Sequence, residues 1–246
     1  MIALYDMQIP EHDPKAIASV CRYIAQNKWD ICLLGGDFLD FDFISSFNKG
    51  FLRLLEGRSF RKQYKIGTEV LDQIESALDN KSKKAERIFL EGNHEYRVVR
   101  YLDANPQMEG YVEVPVGLDL EKRGWKWIPS WSEGKVFRVG KANFIHGLYA
   151  TKYHANKHVE QFGCNIFYGH THDIQSHSKI QRGDNKTMMG QSLGCLCKYG
   201  QSWMRNRPSN WQQAFGVFYI QPNGLFQCYI PQIFNGGFIA PDGKVY

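Results

Sequence analysis

No stretch of the 246-residue chain approaches the run of about 20 apolar residues that a membrane span requires. No basic segment followed by a long apolar one opens it, so no signal peptide is expected, and the setting expected is cytoplasmic. Internal repeats and low-complexity linkers are lacking too, so residues 1–246 are read as one domain with no boundary. Cysteine is sparse: Cys21, Cys32, Cys164, Cys195, Cys197 and Cys228. Without an export signal, reduced thiols are expected rather than three disulfides. Cys195-Leu196-Cys197 lacks the spacing of a zinc knuckle and a second pair beside it, and reads as two inward positions of a strand. Hydrophobic residues make up 43% and charged residues 22%, which excludes disorder as the main theme.

What is present begins with charge placed unevenly. The net charge is +5, and between Ile174 and Gln213 Lys179, Arg182, Lys186, Lys198, Arg205 and Arg207 face only Asp184, so this segment carries the whole excess. Such a segment fits a polyanionic partner or a plain solvated face. Within it Tyr199, Trp203 and Trp211 interleave with Arg205 and Arg207, as in surfaces that hold single-stranded nucleic acid, although tryptophans also pack in cores.

Ile2–Tyr5 and Ile31–Leu34 are apolar runs that predict buried strands. Between them Asp13-Pro14 predicts a helix start, and Ala16, Ile17, Val20, Ile24 and Ala25 give that helix one apolar face. A strand–helix–strand opening implies a parallel pair joined by a crossover, hence an α/β fold. Residues 41–87 read as a helical excursion, with Tyr64, Val70, Leu71, Ile74 and Leu78 at helical spacing. Ile88–Leu90, Ala142–Ile145 and Cys164–Tyr168 are further strands, a helix is expected between His146 and Cys164, and turns with β-structure follow Lys179.

Each of the five strands runs into a polar cluster: Asp6-Met7-Gln8, Gly36-Asp37, Gly92-Asn93-His94-Glu95, His146-Gly147 and Gly169-His170-Thr171-His172. In open α/β sheets ligands bind beyond the carboxyl ends of the strands, where such clusters converge. In this order the clusters resemble the calcineurin-like metallophosphoesterase superfamily, over about two thirds of the chain. The Asp-x-Gln opening, the Gly-Asn-His-Glu block and Trp211–Gly216 look like the versions in phage-encoded members, which would make the setting a host-cell cytoplasm.

The resemblance implies a four-layer sandwich of two mixed β-sheets flanked by helices, and a dinuclear metal centre. Asp37 would bridge two divalent ions, Asp6 and His172 would bind the first, and Asn93, His146 and His170 the second. His94 would face the phosphate and serve the leaving oxygen. Two ions about 3.5–4 Å apart hold a bridging hydroxide and the phosphate oxygens together. Asp6 and Asp37 offset half of the ionic charge, so with one hydroxide about +1 remains to attract a phosphate anion.

Gln8 departs from the commoner His. It binds the first ion through its amide oxygen, leaves that position to water, or marks a weakened first site. An amide oxygen is a harder donor than imidazole, which tilts the expectation to Mn²⁺ over Zn²⁺, with Fe²⁺, Ni²⁺ or Mg²⁺ as alternatives. Glu95 reads as a partner behind the ligands or as a surface carboxylate. His154 and His158, four apart, read as a solvated helix face. The function expected is phosphodiester hydrolysis in a nucleic acid or nucleotide, by a phosphodiesterase or nuclease without a membrane partner. The alternatives are a phosphomonoesterase on nucleotides or phosphoproteins and a non-catalytic nucleic-acid-binding module.

Overall fold

A computed structural model describes residues 1–246 apart from 49, 51, 184, 202, 203 and 205–207. In chain order the elements are β1 (Ile2–Leu4), α1 (Pro14–Gln26), β2 (Ile31–Leu34), α2 (Leu52–Leu55), α3 (Phe60–Lys81), β3 (Glu86–Leu90), α4 (Tyr96–Ala104), α5 (Val114–Gly117) and β4 (Trp125–Ile128). The second half holds β5 (Phe137–Val139), β6 (Ala142–Phe144), α6 (His154–Phe162), β7 (Asn165–Tyr168), β8 (Ser176–Gln181), β9 (Lys186–Ser192), β10 (Gly216–Ile220) and β11 (Phe226–Tyr229).

The strands form two mixed sheets flanked by helices. The first runs β11-β10-β1-β2-β3-β4, and the second β5-β6-β7-β9-β8. In the first, β1, β2, β3 and β4 are parallel, while β10 joins β1 antiparallel and brings β11 with it. In the second, β6, β7 and β9 are parallel, with antiparallel strands at both edges.

The sheets meet through an inner core in which Tyr5, Leu33, Ile88 and Leu90 pack with Phe144, Phe167 and Leu193. Outside the first sheet, α1 and α3 bury Ile17, Val20, Ile24, Val70, Leu71, Ile74 and Leu78. Burial of each of these aliphatic side chains contributes roughly 1.5–3 kcal/mol of transfer free energy. The start of α1 is as the sequence predicts: Asp13 Oδ1 accepts from the amides of Lys15 and Ala16, and Pro14 occupies the first turn. Such a cap is worth about 1 kcal/mol. Outside the second sheet, α6 buries Ala155 and Val159.

Two expectations need correction. The helix between His146 and Cys164 occupies only the second half of that segment, because residues 147–153 leave the sheet as an irregular loop that turns into α6. Nor are His154 and His158 a solvated face: both are buried, on the same side of α6 as Ala155 and Val159. Hydrogen bonds compensate their polarity. His154 Nδ1 is 2.7 Å from the Tyr168 hydroxyl and its Nε2 3.1 Å from Asp173 Oδ2. His158 stacks on Tyr168 at 3.8 Å between ring centroids, and its Nε2 accepts from the Leu148 amide at 3.0 Å. Burial pushes the His158 pKa down to about 4, so it stays neutral.

Candidate metal centre

Strand register places the polar clusters. Leu4 pairs with Leu34, Leu34 with Phe89, and Phe144 with Phe167, so the loops after β1, β2, β3, β6 and β7 leave the two sheets where they abut. Asp6, Asp37, Asn93, His146, His170 and His172 all lie within two to four residues of those strand ends.

The backbone there is strained. Asp6, Gln8, Asp37, His170 and His172 have φ between 49° and 67°. The left-handed region costs a non-glycine residue roughly 1–2 kcal/mol, and such outliers gather where function over-determines the conformation. Two glycines allow the close approach: a Cβ on Gly92 would collide with Asp37 Oδ1, and one on Gly169 with Asp6 Oδ2.

The donor atoms fall into two groups that share Asp37. In the larger, Asn93 Oδ1 lies 3.0 Å from His146 Nε2 and 2.8 Å from His170 Nδ1, and Asp37 Oδ2 lies 3.2 Å from His146 Nε2. His146 Nδ1 faces the Gly35 carbonyl at 3.1 Å, an acceptor, so Nδ1 carries the proton and Nε2 turns a lone pair toward two oxygens. Facing lone pairs at this range repel unless positive charge lies between them. A proton can do so: burial pulls the His146 pKa down, but Asp37 more than reverses it, to about 9. A divalent ion would do so with twice the charge, and Asp37, Asn93, His146 and His170 are the residues that would hold it. His170, pushed down to about 4 by burial and by His146, keeps its lone pair available.

In the smaller group Asp6 Oδ2 accepts from the His170 amide at 2.8 Å. Its Oδ1 is buried without a hydrogen-bond partner among the described residues, 3.2 Å from His172 Nε2. That orphaned carboxylate oxygen fits a cation. Burial lowers the His172 pKa and Asp6 raises it, for a net rise to about 9. Asp6, Asp37 and His172 bring one donor atom each within 4.8 Å of one another, as do Asp37, His146 and His170.

Gln8 stands in the smaller group, with Nε2 3.1 Å from His172 Nε2 and Oε1 accepting from Gln201 Nε2 at 3.0 Å. In this orientation the amide oxygen points to Gln201. Presenting it to a cation requires the Gln8 amide to turn over, and the Gln201 amide with it.

Three residues beyond those expected complete the site. Asp40, three after Asp37, lies with Oδ1 2.8 Å from His94 Nδ1, off the ideal hydrogen-bond line. Arg97 donates to the Asp40 carbonyl at 2.6 Å and reaches His94 Nε2 at 2.9 Å. The His94 amide donates to Asp37 Oδ1 at 2.8 Å, which ties the two loops together. Glu95 is no surface carboxylate: it is buried and accepts from the amides of Asp37, Leu39 and Gly92 at 2.8–2.9 Å, fixing the loops that carry Asp37 and Asn93. Burial, then the nearby Asp37, pushes its pKa up to about 7. Trp131 packs edgewise on His146 and at a tilt on His170.

A cleft of about 780 Å³ opens over these donors. Its walls include Arg58, Arg97 and Lys152, but also Asp42, Asp173 and Trp211. Asp42 pairs with Arg58, and Trp211 lies 4.3 Å from the His172 ring centroid. Of the aromatic–basic segment, Tyr199 is half exposed with its hydroxyl accepting from the Gln213 amide, whereas Trp203, Arg205 and Arg207 lie outside the described residues. Lys179 and Lys186 lie on β8 and β9, the hairpin that Arg182 caps, rather than on the cleft wall.

No family model matches the chain. It is similar over its full length to the Gene 54 proteins of Mycobacterium phage L5 and Mycobacterium phage D29, each 24% identical, with 98% of each relative covered. Among solved structures it is similar to Vps29 from Cryptosporidium parvum, at 14% identity and a TM-score of 0.47, with 100% of this chain and 94% of that one covered. Vps29 from Chaetomium thermophilum gives 10% identity and a TM-score of 0.46, with 100% and 90% covered.

Proposed function

We propose that this chain is a dinuclear metal-dependent phosphoester hydrolase that acts on phosphodiesters of nucleotides or nucleic acid. The observation that carries the reading is the convergence of lone pairs from Asp37, Asn93 and His146 at 3.0–3.2 Å, with the orphaned Asp6 oxygen beside His172. The residue types favour divalent ions such as Mn²⁺: two carboxylates, an amide oxygen and three imidazoles. Such ions, when bound, supply charge neutralisation for phosphate and lower the pKa of a water.

The chain's own residues supply the rest. Asp37 reaches both groups of donors and has its other oxygen held by the His94 amide. His94 borders the cleft between Asp37 and Asp40. With Nδ1 turned to Asp40, its Nε2 is the atom that meets a leaving oxygen, and Asp40 stabilises the imidazolium that donates the proton. Arg97 contacts that same Nε2 at 2.9 Å, so a phosphate that draws the guanidinium away frees the nitrogen.

The cleft's mixed lining also supports a second reading. Asp42 and Asp173 oppose a polyanion, and the volume suits a small phosphoester, which favours nucleotides over polymers and keeps a phosphomonoesterase in view. The test is hydrolysis of bis-p-nitrophenyl phosphate, p-nitrophenyl phosphate and labelled DNA with Mn²⁺, by the wild type and by His94→Ala. The expected result is diester turnover that falls about 10²–10⁴-fold in the variant. Turnover of the monoester alone would select the second reading, and binding of DNA without any turnover would select a binding module.

A further inference from the structure

On the side of His172 away from Asp6 lie two thiols. Cys195 and Cys197 are fully buried, and both are reduced. Cys195 bridges Gln213 and Cys197 bridges His12, so neighbouring backbone holds this extended segment. Residues two apart in an extended chain face the same way, here toward His172. Cys197 Sγ lies 4.0 Å from His172 Nδ1, and one donor atom from each of His172, Cys195 and Cys197 falls within 4.8 Å of the others. In a tetrahedral site with metal–sulfur bonds of about 2.3 Å and metal–nitrogen bonds of about 2.0 Å, ligand atoms stand roughly 3.5–3.8 Å apart. Closing the cluster onto an ion therefore takes side-chain shifts of at most about 1 Å. The Gln212 carbonyl, 3.7 Å from Cys195 Sγ, or a water offers a fourth ligand.

We propose that Cys195, Cys197 and His172 form a site for one thiophilic divalent ion, of the zinc or cadmium class, whose occupation withdraws His172 from the first position of the hard-metal centre. The thiol site stands on its own geometry; the withdrawal rests on the function proposed above.

The reasoning turns on one imidazole with two unlike faces. Its Nε2 looks toward Asp6 and Gln8, and its Nδ1 toward sulfur. A neutral imidazole has a single lone pair. An ion on the Asp6 side needs Nδ1 protonated, whereas an ion on the thiol side needs the lone pair on Nδ1, so one ring does not serve both without losing its second proton. Ligand softness decides between them: carboxylate and amide oxygens suit Mn²⁺ or Mg²⁺, and thiolates suit Zn²⁺ or Cd²⁺. The cleft reaches His172 and Trp211, which gives an ion a route to the ring. In the plain structural alternative the thiols merely accept the Nδ1 proton and never bind metal.

Cobalt titration of the full, metal-free chain under reducing conditions separates these accounts, because only thiolate ligation gives intense near-ultraviolet charge-transfer absorption. The expected result is one equivalent of such absorption in the wild type and in Asp37→Asn, and its loss in Cys195→Ser/Cys197→Ser. Cadmium affinity should fall roughly 100-fold or more in the double variant. Manganese binding to that variant, followed by electron paramagnetic resonance, should match the wild type and so report an intact fold. Cadmium added to the manganese-loaded wild type should release one manganese ion per chain, and none from the double variant. Cobalt binding without charge transfer, or charge transfer that survives both serines, would overturn the thiol site. Retention of all manganese during cadmium uptake would overturn the withdrawal. A wild type that binds no manganese at all would sink the dinuclear centre, and the cobalt spectrum would still decide the thiol site.

Discussion

The two halves of the candidate centre are built to different standards. The half around Asn93 has four donors, an imidazole tautomer fixed by the Gly35 carbonyl, and loops tied by three amides to Glu95. The half around Asp6 has one orphaned carboxylate oxygen, one imidazole that also faces sulfur, and an amide oxygen already engaged by Gln201. The first arrangement is a cradle that a cation completes without rearrangement. The second requires an amide to turn and a ring nitrogen to be freed. On the function proposed, one cluster would therefore hold one position tightly and leave the other responsive to which metal is at hand.

The largest expected effect tests that asymmetry directly. His146→Ala should weaken retention of the tighter ion by about 100-fold or more, whereas His172→Ala should leave it in place and empty only the weaker position. Equilibrium dialysis with metal analysis reads both, and equal losses would erase the distinction. Next in size is the effect of pH. His146 and His172 each hold a proton up to about pH 9, and that proton must leave for an ion to bind. Apparent Mn²⁺ affinity should therefore climb from pH 6 toward pH 9, by up to about tenfold per pH unit for each proton released. The metal-free fold should behave oppositely. A raised histidine pKa stabilises below the unfolded value of about 6.5, and that contribution is lost as pH rises through about 9. Thermal melts in chelator at pH 6.5 and 9, against melts with Mn²⁺, check the crossing.

Gln8→His comes third. It replaces an amide that must turn over with a nitrogen donor, and should raise affinity at the weaker position about tenfold while leaving the tighter one unchanged. Calorimetric titration that shows no change would place the weakness elsewhere than in Gln8. The smallest effect concerns strain. Gln8 has φ of 49°, which glycine adopts freely, so Gln8→Gly should be about 1 kcal/mol more stable to unfolding than Gln8→Ala.

The residues that bring these halves together were legible in the sequence because each follows an apolar strand and sits in a dense polar cluster. The residues that orient them were not. Asp40 is one carboxylate among several in a charged loop, and only its spacing from Asp37 hints that it reaches His94. Gln201 is 193 positions from Gln8, and nothing local marks the contact. His154 and His158 resemble a surface pair because sequence alone does not show that Tyr168 and Asp173 stand ready to compensate their burial. Ala155 and Val159, which share their face, are the signal that a closer reading of helical period would use. The strand β8 is mostly exposed and polar, so its apolar content does not announce it; its partner β9 defines it.

The position of β1 has a consequence for synthesis. This strand lies between β2, which follows within thirty residues, and β10, which begins only at Gly216. The loop after it is held early through the Asp6 amide, which donates to the Gly36 carbonyl, but the Asp6 carbonyl waits for the Leu196 amide and its carboxylate for the His170 amide. A chain emerging from the ribosome amino-terminus first thus carries Asp6 early and secures it late. Until β10 arrives, one edge of β1 is open to mispairing, and until residues 170 and 196 arrive the Asp6 carboxylate and carbonyl lack these two partners. The candidate donors of both halves are therefore complete once His172 has been made, whereas the Gln201 amide that engages Gln8 and the thiols of Cys195 and Cys197 arrive later.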